Sequence, residues 1–180
     1  FVRKLFGIPL EKYKIYHIFP INLQHIVFHG FLRLFLQPHF FGIENMAKLH
    51  FGLQKLTLLD FPGKVACTVF TFGCNFRCPF CHNASLVHRE GEEDAPDEDD
   101  ILAFLDNRRG ILDGVCISGG EPLCHPELPD FMKKIHDAGF SVKLDTNGSF
   151  PERLQAAVES HCVDYVAMDI KNCKDKYAET

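Results

Sequence analysis

The sequence predicts an α/β fold built on parallel strands, and three observations carry that reading. From Met46 onward, short apolar runs of strand length alternate with longer segments whose apolar residues recur every three or four positions. No two-residue hairpin joins one apolar run to the next, so the strands are expected to lie parallel, linked by right-handed crossovers. The unusual polar residues all fall just after the strand-like runs, at 74–81, 119–121, 145–147 and 169–171. In such folds the carboxyl ends of the strands form one ligand-binding face, so these four groups are expected to share a site.

Taken in order, "LQKLTLLDFPGK" leads into a turn at 61–64, where Pro62 and Gly63 suit the middle of a type II turn. "VACTVF" at 65–70 is nearly continuous in its apolar content, as expected of a strand covered on both faces. A cysteine-rich loop follows, then "EGEEDAPDEDD", whose eight acids in eleven residues predict solvent exposure and the start of a helix. That helix is "DEDDILAFLDNRR", with acids in its first turn, Arg108 and Arg109 in its last and Gly110 as its stop. "GVCIS" at 114–118 is a second buried strand ending at "GGEP". "PELPDFMKKIHDAG" is a second helix, with Leu128, Phe131, Met132 and Ile135 on one face and Gly139 as its stop. "FSVKLDTNG" predicts a third strand ending at Asp145. "SFPERLQAAVES" predicts a third helix, with Ser149 and Glu152 at capping-box spacing. "VDYVAMDIK" predicts a fourth strand ending in Asp169 and Lys171.

Composition narrows the function. With 46 % hydrophobic residues the chain can bury a real core, and a net charge of −5 without a basic stripe argues against a nucleic-acid surface. The chain is not uniform. Residues 1–45 hold two acids against five Lys/Arg, with eight phenylalanines and four histidines. Residues 46–180 hold 22 acids against 14 Lys/Arg, a net of −8. The apolar stretch "IVFHGFLRLFL" is broken by His29 and Arg33 and is too short to span a bilayer. Residues 1–45 show no helix or strand period, so the expectation is an extension outside the fold, upstream of a start at Met46; a basic aromatic segment lying on a membrane surface is the alternative. Residues 46–180 are expected to form one domain.

Eight cysteines in a chain of this length suit a reducing cytoplasm better than a disulfide scaffold. Cys67, Cys116, Cys124, Cys162 and Cys173 lie mostly in or beside apolar runs and read as small buried hydrophobes. The other three sit in "TFGCNFRCPFCHN", where Cys74, Cys78 and Cys81 have CxxxCxxC spacing. Thiolates this close select zinc or iron–sulfur. A structural zinc closes with four protein ligands, but His82 adjoins Cys81, and neighbouring residues rarely reach one tetrahedral metal together. Three cysteines suit a 4Fe–4S cube with one iron left open to another molecule. A zinc or iron–sulfur binding module without catalysis stays open at this point.

CxxxCxxC with Phe80 before its last cysteine, placed after one strand and followed by "SGGEP" after the next, resembles the radical S-adenosylmethionine superfamily. The resemblance implies an open, partial (βα) barrel whose open iron is chelated by the amino and carboxylate groups of S-adenosylmethionine. It implies that Gly119, Gly120 and Glu121 hold the methionine amino group. One electron from the cluster then cleaves the sulfonium to give a 5′-deoxyadenosyl radical. "CPFCHN", "LDTNG" and "MDIK" resemble the glycyl-radical-enzyme activases, in particular the activating proteins of anaerobic ribonucleoside-triphosphate reductase. By that resemblance Asp145, Thr146 and Asp169 fall at a monovalent-cation and ribose region, and Lys171 near the methionine carboxylate. The bland readings are a turn cap for Asp145 and a surface ion pair for Asp169 and Lys171. The implied partners are a glycyl radical enzyme and a flavodoxin- or ferredoxin-type electron donor. Family members have roughly six βα units, and four strands are countable here, so the domain is expected to be incomplete at its C-terminal end. The competing enzymatic reading is a radical enzyme acting on a small molecule, such as a deazaguanine precursor.

Overall fold

Side chains alternate between the two faces of a strand, and here the two faces have different fates. Val69, Val115, Ile117, Val142, Leu144 and Val166 point to one side, where they form a single core with the helices. Thr68, Cys116, Lys143 and Tyr165 fall on the other side, aligned in one register row across four strands. The computed structural model describes residues 48–179; the expected extension at 1–45 and the start at Met46 lie outside the described residues.

The described residues form one five-stranded sheet in chain order: β1 (Phe51–Thr57), β2 (Ala66–Thr71), β3 (Gly114–Gly119), β4 (Ser141–Thr146) and β5 (Tyr165–Met168). β2 to β5 are parallel, and each crossover steps to the next strand in the same direction. Successive right-handed crossovers of this kind place their helices on one face. The helices are α1 (Ala84–Val87), α2 (Glu98–Asp106), α3 (Leu128–Asp137) and α4 (Pro151–Glu159). Ile101 and Leu105 of α2, Phe131 and Ile135 of α3, and Ala157 of α4 fill the core. Each of the larger side chains contributes about 1.5–3 kcal/mol on burial.

The four strands expected from sequence are parallel, and β1 is an additional strand at the edge. The strand runs antiparallel to β2, from Phe51 opposite Thr71 to Thr57 opposite Ala66, with a register shift between Gln54 and Thr57. Only its two ends are buried, so "FGLQKLT" carries no clear period. Phe51 stacks on Phe131 with ring centroids 4.5 Å apart, which fastens this edge strand to α3. The connecting turn is as expected: Lys64 N–H donates to Phe61 O at 3.1 Å, and Gly63 takes φ +74.

Helix ends differ from the sequence reading in two places. α2 starts at a reciprocal box between Asp97 and Asp100, but it stops at Asp106, leaving Arg108 and Arg109 in the turns before Gly110. The Ser149–Glu152 capping box does not form. Phe150 occupies the N-cap of α4 without a side-chain bond, because Ser149 Oγ is engaged by Asn147 Oδ1 at 2.6 Å. Of the five remaining cysteines, Cys67 and Cys116 are buried as expected, whereas Cys124 and Cys162 are half-buried and Cys173 is exposed. These last three lie in loops beyond the apolar runs.

Candidate functional site

The cysteine loop leaves β2 through Gly73, which takes φ +82 and donates its N–H to Leu86 O at 2.8 Å. The loop is tied by its own backbone: Cys81 N–H reaches Cys78 O at 3.0 Å, and Phe76 N–H points at Cys74 Sγ at 3.3 Å. Arg77 clasps the Cys74 and Phe76 carbonyls at 2.6 and 2.8 Å. His125 bonds Phe72 O through Nε2 at 2.8 Å and holds the start of this loop.

The glycine turn after β3 lies directly against the cysteine loop. Gly120 N–H donates to Thr71 O and Glu121 N–H to Gly73 O, both at 2.9 Å. A Cβ on Gly120 would stand 1.9 Å from Gly73 O, and one on Gly119, at φ +120, would stand 2.4 Å from Thr71 N and O. The sequence reading assigned these glycines to the approach of a ligand. The structure shows that they are first required for one loop to dock on the other.

Glu121 is fully buried and joins the third loop to these two. Its Oε1 accepts from Leu123 N–H at 3.0 Å and Thr146 Oγ1 at 2.7 Å, while Oε2 accepts from Asn147 N–H at 2.7 Å. Burial pushes its carboxyl above the ordinary range, against these three bonds that favour the ionised form. Asn147 Nδ2 reaches Asn75 Oδ1 at 3.0 Å, and Asn75 Nδ2 donates to Ser149 Oγ at 2.9 Å. The fourth strand end joins through Asp169 N–H, which donates to Thr146 O at 2.9 Å.

These loops enclose a cavity of about 590 Å³ lined by all ten residues singled out in the sequence. Cys74, Cys78 and Cys81 form one wall, Gly119, Gly120 and Glu121 a second, and Asp145, Thr146, Asp169 and Lys171 a third. His82, Phe80 and Asn147 line it too, as do Lys143 and Met168, which the sequence reading passed over. Lys143 could have been found by alternation, since it stands between Val142 and Leu144 and must face away from the core. Asp169 and Lys171 do form an ion pair, at 2.6 Å, but at the cavity mouth. Burial works against the Lys171 charge, yet Asp169 and the sulfurs of Cys78 and Cys81 together raise its pKa. Burial likewise raises the Cys74 thiol, helped by Glu121 and the other two sulfurs. A metal would have to displace that proton on binding.

The three sulfurs share a wall without meeting at a point. Among the described residues, no three His, Cys, Asp or Glu side chains converge to hold a single metal ion. Zinc needs its sulfurs about 2.3 Å away on every side, whereas a cube takes each sulfur on a different iron. Three thiols and no fourth ligand in the motif, all lining one cavity, are the donor set that such a cube takes.

A mostly parallel sheet with three cysteines and a glycine turn at its carboxyl rim defines an α/β domain built to hold a metallocofactor. The chain belongs to the Radical SAM superfamily, whose sequence profile matches residues 68–180. That family works with a 4Fe–4S cluster and S-adenosylmethionine. Among relatives, the chain is 36% identical over 140 residues to a Methanocaldococcus jannaschii protein named as a glycyl-radical enzyme activating enzyme, covering 74% of this chain and 55% of the relative. It is 31% identical over 135 residues to the pyruvate formate-lyase-activating enzyme of Clostridium pasteurianum, covering 72% and 55%. It is 30% identical over 130 residues to the 7-carboxy-7-deazaguanine synthase of Methanopyrus kandleri, covering 62% and 51%. The chain thus spans about half the length of these curated relatives. Among the described residues no helix is long and apolar enough to cross a membrane.

Proposed function

We propose that this chain is the S-adenosylmethionine-cleaving part of a glycyl-radical-enzyme activase. The observation that carries the reading is the convergence of ten residues from four strand ends on one cavity. Cys74, Cys78 and Cys81 are the residues that would hold a 4Fe–4S cluster, with no fourth protein ligand beside them in the motif. When bound, the pair supplies a one-electron cleavage that produces a carbon radical. The chain's own part is placement. Gly119 and Gly120 present backbone at the rim, with Glu121 locking the turn to the β4 loop. Asp145, Thr146 and Asp169 line the part of the cavity where they would meet the ribose, and the Lys171 ammonium would be available to the methionine carboxylate. No acid–base triad is required for hydrogen-atom abstraction.

The names of the two activase relatives, together with "CHN" after the third cysteine, support a glycine on a partner enzyme as the target. The partner favoured by the motifs is anaerobic ribonucleoside-triphosphate reductase, and the electron for the cluster would come from a flavodoxin- or ferredoxin-type donor in the cytoplasm. The similarity to a deazaguanine synthase supports a second reading, a small-molecule substrate. The chain should be reconstituted anaerobically with iron and sulfide, supplied with S-adenosylmethionine and reductant, and mixed with the reductase. Deoxyadenosine release accompanied by a glycyl radical signal on the reductase is the expected result. Deoxyadenosine release that depends on a small molecule and leaves the reductase silent would replace this reading with the second.

A further inference from the structure

A lysine in the middle of a buried strand calls for a physical cause, because taking an ammonium out of water costs several kcal/mol unless it is paired. The Lys143 side chain is 8% exposed, and its neighbours Val142 and Leu144 face the core. Its Nζ is ion-paired to Asp145 Oδ1 and lies 3.5 Å from Cys116 Sγ. The Tyr165 ring centroid is 6.0 Å away on the next strand. Cys116 from β3, Asp145 from β4 and Tyr165 from β5 thus surround an ammonium that lines the cavity floor.

The resemblance drawn from sequence implies a monovalent cation near Asp145, Thr146 and Asp169, and the residues present do not fit one. Asp145 Oδ1 is taken by Lys143, and Oδ2 accepts from the Cys116 thiol at 3.4 Å. Thr146 Oγ1 donates to Glu121 Oε1 at 2.7 Å and accepts from Gly148 N–H at 3.1 Å. The side-chain oxygens of Asp145 and Thr146 thus each have a partner from this chain already. At the mouth, Asp169 is matched in the same way by Lys171, again two residues away. We infer that Lys143 is a positioning residue that acts as the resident cation of the cavity: its ammonium holds the Asp145 carboxylate in place, and the site needs no monovalent metal ion.

The test compares thermal unfolding of the full chain in potassium, sodium and tetramethylammonium chloride at equal ionic strength. The wild-type midpoint is expected to be the same in all three. Lys143→Met should melt lower in tetramethylammonium and regain several degrees, saturably, in potassium or sodium, as the bared carboxylate recruits an ion. Lys143→Arg, which keeps the charge, should be as indifferent as wild type. Binding of S-adenosylmethionine to the reconstituted chain should follow the same pattern, weakened about tenfold or more in Lys143→Met and partly restored by potassium. The binding arm rests on the proposed cofactor site and the unfolding arm does not, so the two can fail separately. Should Lys143→Met not fold, the double variant Lys143→Met/Asp145→Asn removes both charges and is expected to recover the wild-type midpoint. A wild-type requirement for potassium or sodium overturns the inference. So does a Lys143→Met variant indifferent to the salt, or a double variant no more stable than the single one.

Discussion

Gly120→Ala adds one methyl group at the joint between the glycine turn and the cysteine loop. That Cβ would stand 1.9 Å from Gly73 O and 2.6 Å from Gly73 C, where real contacts of this kind do not fall below 3.0 Å. Both partners are backbone, so the two loops must separate by about 1 Å. That movement carries the Glu121–Gly73 and Gly120–Thr71 hydrogen bonds, each 2.9 Å at rest, beyond useful reach. Losing two bonds between enclosed groups costs about 2–5 kcal/mol, or roughly 10 °C in melting temperature for a domain of this size. Gly139→Ala is the comparison: at φ +91 with nothing within 4 Å, it carries backbone strain alone, about 1–2 kcal/mol. Thermal unfolding of the two variants, with iron content after reconstitution, makes the assay. Iron uptake should fall only in Gly120→Ala, because the new methyl lies 3.4 Å from Cys74 Cβ. If Gly120→Ala melts with wild type and takes up iron normally, the loops are not docked as described.

Three further outcomes are expected. Alanine at Cys74, Cys78 or Cys81 should abolish the brown iron–sulfur absorbance, while Cys124→Ser and Cys173→Ser retain it; normal acid-labile sulfide in any of the first three would remove that residue from the cluster. Burial raises the folded-state pKa of Glu121 above its ordinary 4.5, so its stabilising contribution is full below that value and declines as pH rises through the folded pKa. The stability of wild type relative to Glu121→Gln, read from urea unfolding, should therefore fall from mildly acidic to neutral pH, and a flat difference would show that the carboxyl is not desolvated. His125→Ala removes the bond to Phe72 O and should cost about 1 kcal/mol, detectable as a lower urea midpoint, whereas a solvated histidine would cost nothing.

Much of the site was legible because its signals are local. Cys74, Cys78 and Cys81 lie within eight residues, and the spacing alone restricts which metal groups they can hold. Placement after a strand puts a residue on the carboxyl rim whichever strand it follows, so four separate motifs could be assigned to one face before any contact was known. Ser149 illustrates where this fails. Its spacing to Glu152 matches a capping box, yet Asn147, two residues back, and Asn75, 74 residues away in the cysteine loop, engage its hydroxyl instead. The β1 edge was missed for a related reason, since a strand buried only at its ends shows no period.

Taken alone, then, the chain order of residues determined the α/β class, the three longer helices of the described domain and ten of the residues that line the cavity. These follow from periodicity, caps and spacing, which act over a few residues. Only the folded structure decided that Gly120 is a docking surface for Gly73, that Glu121 spends its carboxylate on the neighbouring loop, and that Lys143 turns inward to meet Asp145. Those facts belong to pairs brought together by strand register and loop packing. Excluded volume and desolvation between such pairs have no counterpart in a linear pattern.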